Sequence, residues 1–289
     1  MENPLARLLA LFDLEQTGMD RFRGPGGPTT WKRIYGGQVI AQALASAQRT
    51  VGSERPAHSL HAYFLLAGDP TAPIDFEVER LHDGRSFSAR RCAAKQRGHT
   101  ILSLEASFQT VEEGFDHAVA PPSVEGPETL PTSSALAERF KSFLPCGPGE
   151  WPAHTHLLDM RLVDPEAFVG AKEGVTRQYI WFRFDAALPD DDALHRVLLA
   201  YLSDMSLLTT ALAAHGRSIF DPAIQVASLD HAVWFHRPFR ANEWMLYAQE
   251  STNAAGARGF SRGEVFTRDG KLIASVAQEG LMRERKPRS

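Results

Sequence analysis

Asp204, Ser228 and Gln278 bring together a carboxylate, a hydroxyl and a primary amide. A carboxylate accepts a proton from water or orients it, a hydroxyl both donates and accepts, and an amide does both with separate atoms. Groups of these types hold one water in a fixed attack geometry beside a carbonyl carbon, with no covalent intermediate needed. The same residue types on strands and helices are also often solvated or satisfied locally. A comparison within the chain shows where such chemistry would sit. Aligned by eye, Gly37, His58 and Ala106 stand where Asp204, Ser228 and Gln278 stand later, so the polar set occurs in only one of two similar halves.

The halves show themselves as a long repeat. His61-Ala62-Tyr63-Phe64, Phe87-Ser88-Ala89-Arg90 and Gly98-His99-Thr100-Ile101-Leu102-Ser103 come first. His231-Ala232-Val233-Trp234-Phe235, Gly259-Phe260-Ser261-Arg262 and Gly270-Lys271-Leu272-Ile273-Ala274-Ser275 follow, offset by 170 residues at the histidines and 172 at the glycines. A repeat this long implies two similar domains.

Each half must supply elements that place those side chains. Leu5, Leu8, Leu9 and Phe12 predict a short amphipathic helix over 4–15, and Gly24 to Pro28 breaks it off. Gly36-Gly37 precedes an alanine-rich helix over 38–48, small enough on all faces to lie closely against a sheet. Strands are expected at 58–66, 73–82, 86–97 and 100–110, with hairpin turns at Asp83-Gly84 and Arg97-Gly98. In the second half an apolar run from Leu194 to about Ala214 reads as helix, with Ser203-Asp204 placed to cap a second segment inside it. Strands follow at 224–236, 243–255, 257–268 and 271–282, Asp269-Gly270 forming a turn, and 158–188 looks like strands opening this half. Residues 111–157, rich in Pro, Gly, Ser and Glu, read as a long surface linker. The domains are therefore 1–110, with the short N-terminal helix, and 158–289, each an α+β unit whose long helix is wrapped by an antiparallel sheet. Two such sheets side by side share a surface where a ligand site can form.

Composition removes several classes of function. With 43% hydrophobic and 23% charged residues and a formal charge of -4, the chain is an ordinary globular protein without the basic face that nucleic acid needs. Cys92 and Cys146 have no zinc-ligand spacing and make no disulfide framework, which fits a cytoplasmic protein. No secretory segment is expected, and apolar runs such as 197–202 fall far short of a membrane span. The terminal Lys286-Pro287-Arg288-Ser289 is not a peroxisomal address. Neither a metal nor a cofactor is expected. His58 and His61 point to opposite faces of a strand, and no His-Glu-x-x-His motif occurs. His231 and His236 read first as structural, and Asp230 diverges from its strand neighbour His231. Gly84-Arg85-Ser86 lacks the second glycine of a nucleophile elbow. His58 either lines the site or satisfies a core contact. Arg90, Arg91, Lys95, Arg97, Arg258, Arg262 and Lys271 either attract phosphates or form charged outer sheet faces.

Four stretches carry a family resemblance: Tyr35-Gly36-Gly37-Gln38-Val39, Asp83 to Arg91, Asp230 to Pro238, and Ala257-Arg258-Gly259. Together they resemble bacterial acyl-CoA thioesterase II over nearly the whole chain, most weakly in 111–157. The resemblance implies a double hotdog fold, an acyl-CoA substrate and assemblies of more than one chain. It also implies a catalytic Asp, Thr and Gln in the C-terminal hotdog, which map onto Asp204, Ser228 and Gln278. Serine keeps the hydroxyl of the commoner threonine and loses the methyl that stiffens its rotamer. On this reading Asp204 deprotonates a water held by Ser228 and Gln278, a backbone N–H at a helix start stabilises the oxyanion, and Gly37, His58, Arg90 and Arg258 contact substrate. Two alternatives stay open: an enoyl-CoA hydratase, which needs a histidine paired with Asp204, and a non-catalytic acyl-CoA sensor.

Overall fold

The computed structural model describes residues 4–27, 33–140 and 157–285. In chain order the elements are α1 (Pro4–Ala10), β1 (Glu15–Gly18), β2 (Arg21–Gly24), α2 (Gly36–Gln48), β3 (Ala57–Phe64), β4 (Ile74–Asp83), β5 (Phe87–Gln96) and β6 (His99–Gln109). After α3 (Ser133–Arg139) come β7 (Leu158–Leu162), α4 (Pro165–Phe168), β8 (Arg177–Phe184), α5 (Asp192–Ser203), α6 (Leu207–Ala213), β9 (Ile224–Ser228), β10 (Asp230–Phe235), β11 (Met245–Ala255), β12 (Arg258–Thr267) and β13 (Leu272–Glu284).

The strands make one antiparallel sheet in the order β1-β2-β4-β5-β6-β3-β10-β13-β12-β11-β8-β7, with β9 also on β13. The halves meet at β3 and β10, where His61 lies opposite Ala232 and His231 opposite Ala62. Residues opposite one another in an antiparallel pair share a face. His61 is exposed and His231 buried, so the histidines aligned by sequence lie on different faces and are not equivalent. The repeat read from that motif is slipped by one residue here, since a one-residue shift changes the face of every side chain.

The main core cluster draws buried residues from both halves. Every residue of α2 from Gly37 to Ala47 is buried, and α2 packs against α5. Alanines 41, 43 and 47 on α2 are fully buried and let the helix approach its neighbours closely. Ile40 and Leu44, both fully buried, each contribute roughly 2 kcal/mol of burial to the core. By length and composition, residues 192–213 could cross a membrane, but 89% of the apolar window within them is buried inside the fold.

Three expectations need correction. Residues 11–15 do not extend α1; two short strands follow, turning at Asp20 with a φ of 55°. The expected strand over 224–236 is two strands broken at Leu229, whose N–H bonds to Glu279 O while Glu279 N–H bonds to Asp230 Oδ1. The run from Leu194 breaks after Ser203, and Asp204 is the C-cap residue of α5; α6 starts behind Ser206, without a side-chain cap bond. The connection after β6 runs over the surface and is pinned there. Trp181 Nε1 donates to Glu125 O at 2.8 Å, and Leu130 is buried with Trp181, Leu246 and Phe266, so this segment straps the outer face of the C-terminal sheet. Residues 141–156, with Cys146, and the terminal residues 286–289 lie outside the described residues.

Candidate active site

The interruption in the α5–α6 run presents a carboxylate to both halves. Asp204 caps the end of α5 and is buried among donors. Ser228 Oγ, at the end of β9, donates to Asp204 Oδ1 at 3.1 Å, and Gln278 Nε2, on β13, donates to the same oxygen at 2.5 Å. The break at Leu229 lets Ser228 and Gln278 converge, because an interrupted strand re-aims its side chains. Gln278 Oε1 has no hydrogen-bond partner within the protein.

The N-terminal half contributes through its backbone. Tyr35, the residue preceding α2, makes no side-chain cap bond. Instead the Gly37 N–H donates to the Asp204 carboxylate, so a residue from the other half caps the helix and meets its positive end. Tyr35 Oη donates to Tyr201 O at 2.7 Å, fastening the start of α2 to α5. Burial raises the Asp204 pKa to about 6, against the opposing pull of Gln278, Ser228, the Gly37 N–H and Arg33. Asp204 is thus mostly ionised at neutral pH and able to accept a proton.

A cavity of about 380 Å³ opens at this carboxylate, lined from both halves by Gly36, Phe64 and Leu102 and by Asp204, Leu208 and Ser228. Its remaining wall is largely apolar, including Ile34, Val39, Ile101 and Val226. A wider, more open cleft of about 830 Å³ on the C-terminal half contains none of the trio. Its charges include mutually paired groups, Arg240 with Asp190 and Lys271 with Asp269. The smaller cavity is the chemically suited one.

The other sequence candidates fall elsewhere. His58 Nε2 lies 2.8 Å from Ser107 Oγ, and its ring meets the edge of Phe87. It is six residues along β3 from Phe64, or about 20 Å at strand spacing, and takes the core-contact alternative. Arg90 is only 1% exposed and bonds Thr50 Oγ1, Thr50 O, His82 O, Ala89 O and Asp83 Oδ1, so it locks β4 and β5 to the end of α2. Arg90→Ala should cost about 2–4 kcal/mol, because it leaves buried carbonyls unpaired. Its KM for substrate should stay within about twofold of the unmutated protein, since the guanidinium lies outside the cavity; urea unfolding and steady-state kinetics check both. Arg258 is half-exposed and pairs with Glu279 at 2.8 Å, also away from the cavity lining. Gly37 touches Asp204 through its N–H.

Sequence reasoning missed Gly36, Tyr35, Phe64 and His231. The glycine pair with no capping side chain ahead of α2 was the available signal for the first two. A histidine does stand beside Asp204: His231 Nδ1 is 4.0 Å from Oδ1.

Comparison with known proteins agrees with this architecture. The sequence matches the family model of acyl-CoA thioesterases over residues 154–281 and that of the acyl-CoA thioesterase N-terminal domain over residues 26–109. It is 40% identical over 286 residues to acyl-CoA thioesterase 2 of Haemophilus influenzae, spanning 98% of this chain and 99% of that protein. Rat acyl-coenzyme A thioesterase 8 is 37% identical over 289 residues, spanning 96% and 89%. The crystal structure of acyl-CoA thioesterase II TesB2 from Mycobacterium marinum matches with a TM-score of 0.79 at 41% identity, covering 96% of this chain and 98% of that one. A hot dog fold protein from Alicyclobacillus acidocaldarius, 21% identical with a TM-score of 0.76, shares the fold. By sequence and by architecture, this chain belongs to the acyl-CoA thioesterase family and is a double hotdog.

Proposed function

We propose that this double hotdog, with units over 1–110 and 158–289, hydrolyses fatty acyl-CoA by direct attack of water activated at Asp204. The observation that carries the reading is a buried, ionisable carboxylate held by Ser228 and Gln278 at the mouth of an apolar cavity. Asp204 takes one proton from the water, while the lone pairs of Ser228 and the unpaired Oε1 of Gln278 accept its other hydrogen. The water oxygen bonds to the thioester carbon, and one backbone N–H at the start of α2, other than the Gly37 N–H that holds Asp204, faces the oxyanion. The carbon–sulfur bond then breaks and the proton on Asp204 passes to the departing sulfur, giving a free acid and the coenzyme A thiol. The apolar wall takes the acyl chain. The protein works as a homo-oligomer in the cytoplasm.

The test incubates the protein with a series of acyl-CoAs and a thiol reagent, while enoyl-CoA absorbance is followed in parallel. Release of thiol supports hydrolysis; loss of enoyl absorbance without thiol, or binding without either, overturns it. In the same assay Ser228→Ala should lower kcat about 10- to 100-fold with little change in KM, because it removes one donor and one acceptor from the reacting centre. Ser228→Thr should keep at least roughly the unmutated rate, the added methyl holding the rotamer.

A further inference from the structure

One neighbour of Asp204 has no part in the scheme above. His231, on β10, is 1% exposed, and its Nδ1 has no hydrogen-bond partner within the protein. That nitrogen stands 4.0 Å from Asp204 Oδ1. The other ring nitrogen, Nε2, is 2.8 Å from Ser203 Oγ.

The end of α5 decides where the ring proton resides. The backbone N–H of Asp204 bonds to Leu202 O, so the Ala200 carbonyl lacks the donor that a continuing helix would supply from residue 204. Ser203 Oγ replaces it, donating to Ala200 O at 3.0 Å. A hydroxyl has one hydrogen, so Ser203 must accept from His231, and Nε2 carries the proton. Nδ1 is left as a bare lone pair facing a carboxylate.

We infer that His231 is a positioning residue that makes Asp204 a stronger base. This rests on Asp204 being the base of the proposed hydrolysis. The Nδ1 lone pair opposes negative charge on Oδ1 and favours the carboxyl form, the only form that can offer it a proton. Burial drives the imidazole pKa down to about 3, so the ring stays neutral and does not become a cation that would stabilise the anion. Of the other groups facing Asp204, Arg33, the Gly37 N–H, Ser228 and Gln278 favour the anion. Tyr35 and Tyr247 are buried phenols whose own ionisation is pushed well up, so they remain neutral.

The experiment measures kcat/KM against pH for the unmutated enzyme, His231→Phe, Ser203→Ala and Asp204→Asn. Phenylalanine keeps a ring and removes the lone pair. Alanine at 203 releases Nε2, so the imidazole can turn its tautomer and present Nδ1–H to Asp204. Both variants should move the ascending limb down by about one pH unit and lower kcat about three- to tenfold, with KM within about twofold. A purely structural role would lower stability and leave the limb in place. If His231→Phe does not fold, Ser203→Ala decides alone. An unmoved limb in the folded variants, with Asp204→Asn silent, overturns the role of His231 only. Full activity in Asp204→Asn overturns the base assignment and this inference with it.

Discussion

Replacing Asp204 by Asn should cut kcat by about 10²- to 10⁴-fold and at the same time raise the stability of the protein at pH 8. The amide keeps an oxygen to accept from Ser228 and Gln278 and loses the basicity that the proposed hydrolysis requires. Stability moves the other way because burial holds the carboxyl pKa at about 6, against the usual 3.8. The folded protein therefore binds this proton more tightly than the unfolded chain does. The stabilisation from that proton is complete below about pH 4 and is lost as pH rises through about 6. A shift of two units corresponds to at most roughly 3 kcal/mol, an energetic cost that the enzyme tolerates at a working site. The variant has no such term, so the stability difference should widen between about pH 4 and 6 and stay level above. Urea midpoints at pH 5 and pH 8 measure this. A constant difference across that range would mean that Asp204 ionises like an exposed carboxylate.

Much of the architecture was legible from local patterns. Strands β3 to β6 and β11 to β13 alternate or carry β-branched and aromatic residues, and they lie within a residue or two of the expected bounds. The alanine-rich run announced α2 because small side chains on every face suit a helix enclosed by its own fold. The interruption after Ser203 was harder, since Leu and Ala continue on both sides of it and its cause is tertiary: Asp204 is held by Gly37, Ser228 and Gln278. Residue type also says little about direction. Arg90 resembled a phosphate ligand and is turned inward onto carbonyls. His58 aligned with Ser228 but lies at the far end of its strand from the cavity. The repeat and the resemblance picked out Asp204, Ser228 and Gln278, and the fold brings their side chains into hydrogen-bonding distance. His231 read first as structural because only its strand neighbour Asp230 was weighed beside it, whereas the nearby carboxylate comes from another element.

Gly36→Ala should lower kcat/KM by about 100-fold or more while leaving the protein folded. A Cβ at this position would lie 2.7 Å from Asp204 Oδ2 and 2.8 Å from the Phe64 ring. The ring can swing away, but the carboxylate is pinned by Ser228, Gln278 and the Gly37 N–H, so the methyl group occupies the space beside the base. A misplacement of about 1 Å at a reacting centre is enough for a 10²-fold loss. Helix propensity works in the opposite direction, since alanine is favoured over glycine by up to about 1 kcal/mol; a fall in activity cannot then be assigned to a weakened α2. The neighbouring position supplies the contrast. At Gly37 a Cβ would lie 2.3 Å from Tyr201 O and 2.6 Å from Tyr35 Oη, against the backbone of α5. Gly37→Ala must therefore part the two central helices and should cost about 1–3 kcal/mol in unfolding free energy. Thermal melts and kinetics on the pair separate the two effects. If Gly36→Ala keeps kcat/KM within about threefold, the space between Asp204 and Phe64 is not where the thioester reacts. The cavity would then have to be entered from another side of the carboxylate.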